Sequence, residues 1–433
     1  MGVKIAVIGG GSTYTPELID GFARRGDRLP IDELVLHDIN VERLEIVGGL
    51  GRRMLDHLGW SGRLLLTGDR DLALDGADFV LVQLRVGGQA ARLLDETIPP
   101  RFGVVGQETV GAGGFAKALR TVPVVLDLAE AVDARAASGA WIVDFTNPVG
   151  IVTQALLDAG HRALGLCNVA INIQRALAER LGVAPDRLAI EHVGLNHLSW
   201  VRAARVDGED RLPALLAEDA DWAADHTGLP AAGILELGAI PSYYLRYYED
   251  TAQVVADQRD GHTRASDVMD IEGRLLELYR DPTLVEKPAL LSDRGGAFYS
   301  EAAAALIASL HDGAGDVQVV DVRNDSALPD LPDDAVVEVP ARIDRDGAHV
   351  LPLAPLAAAP HDLVERVKAY ERLAVRAAVT GDRAVALEAL IANPLVGDPT
   401  IAEPLLAALL EANRDQLPRF FPVDQADPVV SAG

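Results

Sequence analysis

Val3-Lys4-Ile5-Ala6-Val7-Ile8-Gly9-Gly10-Gly11-Ser12-Thr13-Tyr14-Thr15-Pro16 is the stretch whose reading decides the fold. The near-continuous apolar run to Ile8 reads as a buried strand, the glycines as a tight turn, and Thr15-Pro16 as the start of a helix carrying Leu18, Ile19 and Phe22 on one face. Such a turn lets the backbone approach a pyrophosphate, whose charge is stabilised by the free N–H groups of the helix start. Working outward, Leu34 to Leu36 reads as a second strand ending at His37-Asp38, Phe79 to Leu84 as a third and Trp141 to Phe145 as a later one, with helical stretches between. Strands that alternate with helices predict a parallel sheet with right-handed crossovers. A carboxylate closing the second strand can accept bonds from a ribose diol and repels a 2′-phosphate, so Asp38 favours NAD over NADP. Tyr14 stands where a third glycine is usual, and a glycine cluster alone can be no more than a turn. With the strand, the helix and Asp38 in place, Gly9, Gly10, Gly11, Ser12, Thr13 and Asp38 are the expected cofactor contacts.

After about residue 160 the pattern shifts to long helical segments, such as Ile171 to Leu181 and Ser266 to Tyr279, followed by strand-like stretches. The expected division is a Rossmann-like, doubly wound NAD-binding domain over residues 1–165 and an α+β domain for substrate, catalysis and oligomerisation over 166–433. Val336 to Ile343 and His349 to Leu353 flank Asp344-Arg345-Asp346-Gly347, a hairpin signal. A helix is expected over Ile401 to Asn413, then, past Pro418 and Pro422, a loosely ordered polar tail. No internal repeat is evident.

With 433 residues, 49% of them hydrophobic and 24% charged, the chain is long enough for two or three folding units and lies far from the composition of disorder. A net charge of −26 makes nucleic acid and anionic membranes poor partners. The N-terminus carries no cleavable signal or myristoylation pattern, no apolar run reaches the roughly 20 residues of a membrane span, and the single cysteine, Cys167, permits no intrachain disulfide. A cytoplasmic protein is expected.

Cys167, in Leu164-Gly165-Leu166-Cys167-Asn168-Val169, and His197, in Gly194-Leu195-Asn196-His197-Leu198, could share a divalent metal. Alone, such a cysteine reads equally as a buried structural residue, and two ligands leave a shell for substrate or water oxygens to complete. Pro241-Ser242-Tyr243-Tyr244-Leu245-Arg246-Tyr247-Tyr248 gathers four of the chain's eight tyrosines. They read as an aromatic packing face, or as the source of a phenol general base made acidic by a nearby cation. Arg85, Arg92, Arg120 and Arg264 are candidates for gripping phosphate or carboxylate, though each also reads as an ion-paired surface residue.

Together these stretches resemble glycoside hydrolase family 4, in its 6-phospho-β-glucosidase branch. The similarity runs from Ile8–Pro16 through Arg85-Val86-Gly87-Gly88, Gly106-Gln107-Glu108-Thr109, Phe145-Thr146-Asn147-Pro148, Cys167-Asn168-Val169, Gly194–His197, Tyr244–Tyr248, Arg264-Ala265, Lys287-Pro288 and Arg294-Gly295-Gly296 to Leu331-Pro332-Asp333-Asp334. The resemblance implies the two-domain plan of lactate and malate dehydrogenases, a homodimer or homotetramer, and a phosphorylated disaccharide or β-glucoside as substrate. It also implies NAD and a divalent metal, typically manganese, and a redox-assisted elimination, a known exception among glycosidases. Hydride leaves sugar C3, a base removes the acidified C2 proton, the C1 oxygen departs, water adds, and the hydride returns. The metal would polarise the C2 and C3 oxygens. The same resemblance assigns metal ligation to Cys167 and His197, the base to Tyr244, the phosphate to Arg92 and Arg264, and sugar hydroxyls to Asn147 and Asn168.

Two departures stand out. Ala170 replaces the proline usual after Cys-Asn-Val, and Asn168 stands where the α-glycoside branch has an Asp able to protonate the leaving group, which favours β-glycosides with the acid unidentified. Competing readings are an NAD-dependent 2-hydroxy acid dehydrogenase, which would accumulate NADH without a metal, and a non-catalytic NAD-binding sensor.

Overall fold

The computed structural model describes residues 2–422 other than Asp260, His262 and Ala297. The expected loose tail past Pro422 lies outside the described residues, as does His262 of the stretch Gly261–Arg264. Six parallel strands form the first part of a nine-stranded sheet: β1 (Val3–Ile8), β2 (Ile31–His37), β3 (Arg63–Thr67), β4 (Phe79–Val82), β5 (Trp141–Asp144) and β6 (Ala163–Gly165), in spatial order 3-2-1-4-5-6. The helices of this part are α1 (Thr15–Ala23), α2 (Val41–His57), α3 (Arg70–Leu74), α4 (Gly88–Thr97), α5 (Ala112–Arg135) and α6 (Val149–Asp158), and α7 (Asn168–Leu181) follows β6. Strand order reverses between β1 and β4, and ligands of doubly wound folds bind outside the carboxyl ends of the strands at that reversal.

An antiparallel hairpin, β7 (Leu188–Leu195) and β8 (Leu198–Val206), makes a second small sheet with β9 (Glu209–Asp210) and β10 (Ile240–Pro241). The last strands, β11 (Asp316–Arg323), β12 (Val336–Asp344) and β13 (Gly347–Val350), do not stand apart. They extend the main sheet beyond β6 in antiparallel fashion, with Asp321 opposite Gly165. The expected hairpin is β12–β13, while the strand read over Phe79 to Leu84 is β4 and ends at Val82; just beyond it the Gln83 side-chain amide donates to the Gly9 carbonyl at 3.1 Å. One apolar core therefore runs from Ile5, Leu34, Val80 and Val143 to Val320, Val337 and Ile343, across the boundary read at residue 165. Among the described residues no helix is long and apolar enough to cross a membrane.

Arg120 is neither a surface residue nor a cleft residue. It is 1% exposed on α5, and its guanidinium donates to both oxygens of the equally buried Asp95, at 2.8 and 2.7 Å, and to Asn413 Oδ1 at 2.8 Å. Breaking such a pair strands a buried charge, whereas replacing both partners by apolar groups of similar volume removes the charge altogether. Asp95→Leu is expected to lower stability by about 3–5 kcal/mol, and the double variant Asp95→Leu/Arg120→Met to lose markedly less. Denaturant midpoints of the three proteins check this.

Candidate active site

The first half of the site follows from β1 and β2. Gly9, with φ +91°, sits so close to the exit of β4 that a Cβ would meet the Gln83 carbonyl oxygen at 2.8 Å. At Gly11 a Cβ would lie 2.8 Å from Asp38 Oδ2, the oxygen that accepts the Gly11 N–H at 2.9 Å. Asp38 Oδ1 accepts the Asn40 N–H at 2.9 Å, so the carboxylate is fixed at the edge of the turn. Gly9, Gly11, Ser12 and Asp38 face one large cleft, whereas Gly10 packs against Leu36 and Thr13 is fully buried. Thr13 Oγ1 takes a bond from Arg294 Nε at 2.7 Å, and Tyr279 Oη donates to its carbonyl at 2.7 Å. Tyr14 is anchored in the same way, donating to the Gly296 carbonyl at 2.7 Å. Glu272, on the helix Arg264–Tyr279, accepts bonds from Arg43 (2.8 Å), Arg294 (3.2 Å) and Gln89 (3.2 Å) and so joins three separate stretches beside this half.

The second half lies on the strands that follow. Cys167 leaves β6 at the N-terminus of α7, and His197 occupies the β7–β8 turn. Its Nε2 lies 3.3 Å from Cys167 Sγ. A thiolate and an imidazole sharing one ion through bonds of about 2.3 and 2.1 Å stand about 3.1–3.6 Å apart for angles of about 90–109°, so the pair could hold a divalent metal. His197 has φ +63°, a strained conformation for a residue with a Cβ and one that persists only where its surroundings fix it. Here Asn196 fixes it, donating to Glu338 at 3.1 Å and accepting the Gly150 N–H at 3.4 Å. His192 Nε2 lies 2.8 Å from the other Glu338 oxygen.

The electrostatics fit a cation at this point. Burial, with Glu338 behind it, pushes the Cys167 thiol well up. Burial also pulls His197 down to about 4, leaving the neutral imidazole that ligation requires. The Tyr244 ring stacks on His197 with centroids 4.0 Å apart and planes at 15°, and Tyr243 leans on Tyr244 at 4.6 Å. The four tyrosines are thus partly a packing face, as expected, but one built against the imidazole. The protein's own groups do not make Tyr244 acidic: desolvation, then Tyr243 and Cys167, hold its phenol well above the usual value. Tyr299 Oη, 3.8 Å from Cys167 Sγ, closes the far side.

Asn147, Asn168, His197, Tyr244, Arg92 and Arg264 all line the cleft with the glycine turn, and Cys167 lies just beneath its wall. Asn147 Oδ1 is buried with no protein partner. Arg92 is engaged with Glu96 at 2.7 Å and Glu108 at 3.2 Å, while Arg264 donates to the Asp293 carbonyl at 2.7 Å. The cleft is also lined by a carboxylate, Glu108, which belongs to a stretch of the family resemblance but is assigned no role from the sequence. Glu108 is bonded by Arg85, Arg92 and Lys117, and although burial opposes its charge these cations hold it well below the carboxylate range. The cleft encloses about 1750 Å³, more than the roughly 300–1,000 Å³ of a pocket for one small molecule, and so has room for a dinucleotide and a sugar phosphate together.

Fold and site define a class: a Rossmann-type α/β chain in which a dinucleotide-sized cleft ends on a buried thiol, an imidazole and a phenol. The chain belongs to glycosyl hydrolase family 4, matching the family model over residues 4–183 and the model of its C-terminal domain over residues 192–396. A probable 6-phospho-beta-glucosidase of Bacillus subtilis strain 168 is 42% identical over 443 aligned residues, covering 97% of this chain and 98% of the relative. The solved structure of the 6-phospho-beta glucosidase from Thermotoga maritima with manganese, NAD+ and glucose-6-phosphate superposes with a TM-score of 0.90 at 36% identity, over 96% of this chain and 99% of that one. A lactate dehydrogenase from a deep-sea metagenome, at 14% identity, matches with a TM-score of 0.53 over 87% of this chain and 99% of its own, which shows the shared fold alone.

Proposed function

We propose that this chain hydrolyses 6-phospho-β-glucosides, using NAD and a divalent metal, manganese, by oxidation at C3, deprotonation at C2, loss of the C1 oxygen, addition of water and reduction at C3. The observation that carries the reading is that the Cys167–His197–Tyr244 constellation and the Gly9–Gly11/Asp38 turn open onto one cleft. The names of the two family members support it. When bound, the cofactor accepts and returns a hydride, and the metal polarises the C2 and C3 oxygens.

The chain's own residues do the rest. Gly9, Gly11 and Ser12 offer backbone to a pyrophosphate, and Asp38 accepts the ribose diol. Cys167 and His197 hold the metal, and Tyr244, stacked on His197, takes the C2 proton. Arg92 and Arg264 bind the sugar phosphate, and Asn147 and Asn168 hold sugar hydroxyls. Gly10 and Thr13 shape the turn from beneath. In this reading residues 1–165 carry the cofactor and 166–433 the chemistry of the sugar. A free metal-binding thiol suits a reducing cytoplasm, and the working assembly is a homodimer or homotetramer.

The test is incubation with a chromogenic 6-phospho-β-glucoside, with NAD+ and Mn2+ omitted in turn. Cleavage is expected only with both present, while absorbance at the reduced-nicotinamide band stays flat as product accumulates. Stoichiometric NADH would instead favour a 2-hydroxy acid dehydrogenase, and NAD affinity without turnover a sensor.

A further inference from the structure

Only four lysines, Lys4, Lys117, Lys287 and Lys368, stand among the chain's 39 basic residues. Arginine keeps its proton under all ordinary conditions, whereas a buried lysine can surrender its own. Lys117 is 2% exposed on the second turn of α5 and lines the cleft, its Nζ 2.8 Å from Glu108 Oε2.

The groups that face it come from five places. They are Glu108 before α5, Arg85 after β4, Arg92 and Asp95 on α4, Asp144 on β5, and His197 in the β7–β8 turn. Asp95 is taken by Arg120, and burial pushes the Asp144 carboxyl well up. That leaves Arg85, Arg92 and Lys117 against the two carboxylates Glu96 and Glu108. A buried cluster with one surplus positive charge is relieved by losing a proton, and lysine is its only member able to do so. Burial first, and then Arg85, bring this amine down to about 7.

Oxidation of a secondary alcohol releases a proton from oxygen as well as a hydride from carbon, and a base for that proton is still to be assigned. We propose that Lys117 is this base, accepting the proton of the sugar C3 hydroxyl; the role rests on the function proposed above. The C3–H electron pair leaves with its hydrogen as hydride to the oxidised nicotinamide. The O–H electrons form the C3 carbonyl, and the proton passes to Nζ to give the ammonium. When hydride returns to C3, the ammonium gives the proton back to the oxygen, so the amine is regenerated with the cofactor. His197 feels the charges of both Lys117 and Glu108, which puts the amine close to the metal pair proposed above.

Two variants separate a proton carrier from a fixed cation: Lys117→Arg keeps the charge and cannot release a proton, and Lys117→Met removes both. Both are expected to lose about 10²–10⁴-fold in kcat, the range of a general base, with NAD Kd, read by fluorescence, within twofold of wild type. The hydrogen isotope effect with 3-deuterated substrate should grow. The limb of kcat/KM that rises with pH through about 7 should vanish, since above that pH the wild-type amine is free to accept. A readout without cofactor or substrate is the acetylation rate of Lys117 in the wild-type protein, followed by mass spectrometry, with an expected midpoint near pH 7. A Lys117→Arg enzyme within threefold of wild-type kcat, an unchanged acid limb in the variants, or an amine inert until well above pH 9 would each overturn the assignment. An inactive wild-type enzyme would overturn the proposed function and this role with it, whereas an active wild type with an unimpaired Lys117→Arg variant overturns the role alone.

Discussion

Cys167→Ser is expected to remove turnover of a 6-phospho-β-glucoside by at least about a thousandfold, and excess EDTA to do the same to the wild-type protein. The size follows from what the ligand pair would support: a Lewis acid at a developing charge supplies several kcal/mol, and each 1.36 kcal/mol is tenfold in rate. A serine hydroxyl does not ionise to replace a soft thiolate, so Mn2+ binding, read by electron paramagnetic resonance with NAD present, should weaken in parallel. Stability should change far less, because the contacts of the Cys167 sulfur are long or weak, 3.3 Å to His197, 3.8 Å to Tyr299 and a bond from the Val169 backbone N–H, and a serine of similar size can keep them. Oxidation of the thiol should inactivate too, since sulfinic acid is a poor ligand here. Full activity in EDTA would return Cys167 to the reading of a buried structural cysteine, and a Cys167→Ser protein that binds Mn2+ as tightly as wild type would remove it from the ligand set.

Much of this was legible because local patterns carry local facts. The apolar run Val3 to Ile8 could only be buried on both faces, and a glycine with φ +91° against the Gln83 carbonyl is what the triple glycine anticipated. The later strands show where such reasoning stops. β12 is buried along nearly its whole length, so its composition reveals an interior strand but not which sheet receives it. β6 is three residues long, too short to announce that β11 will pair with it. The site divides in the same way. Cys167, His197 and Tyr244 come from three distant stretches, and chain spacing alone did not bring them together; the family resemblance did. Thr13 belongs to the glycine motif yet turns inward to Arg294, because its direction depends on a partner 281 residues away. Glu108, Lys117 and Glu272 are missed for a related reason: a buried charge is identified by its counter-charges, and those lie on other elements.

Tyr244→Phe should keep the fold, the NAD affinity and the substrate affinity, and lose about 10²–10⁴-fold in kcat. Phenylalanine preserves the ring that stacks on His197 at 4.0 Å and the contact with Tyr243, so only the oxygen is removed. In the ligand-free protein, desolvation first and then Tyr243 and Cys167 keep that oxygen protonated. A cation on Cys167 and His197 acts in the opposite direction, favouring phenolate. Base and metal should therefore be coupled. Reaction in deuterated water should place deuterium at C2 of the product, and omitting Mn2+ should suppress that exchange along with cleavage. The arms sink different ideas. A cleaved product without C2 deuterium removes the elimination route altogether. Deuterium at C2 together with a near-wild-type Tyr244→Phe enzyme keeps the route and moves the base elsewhere, with Tyr243, 4.6 Å from Tyr244, the first group to replace.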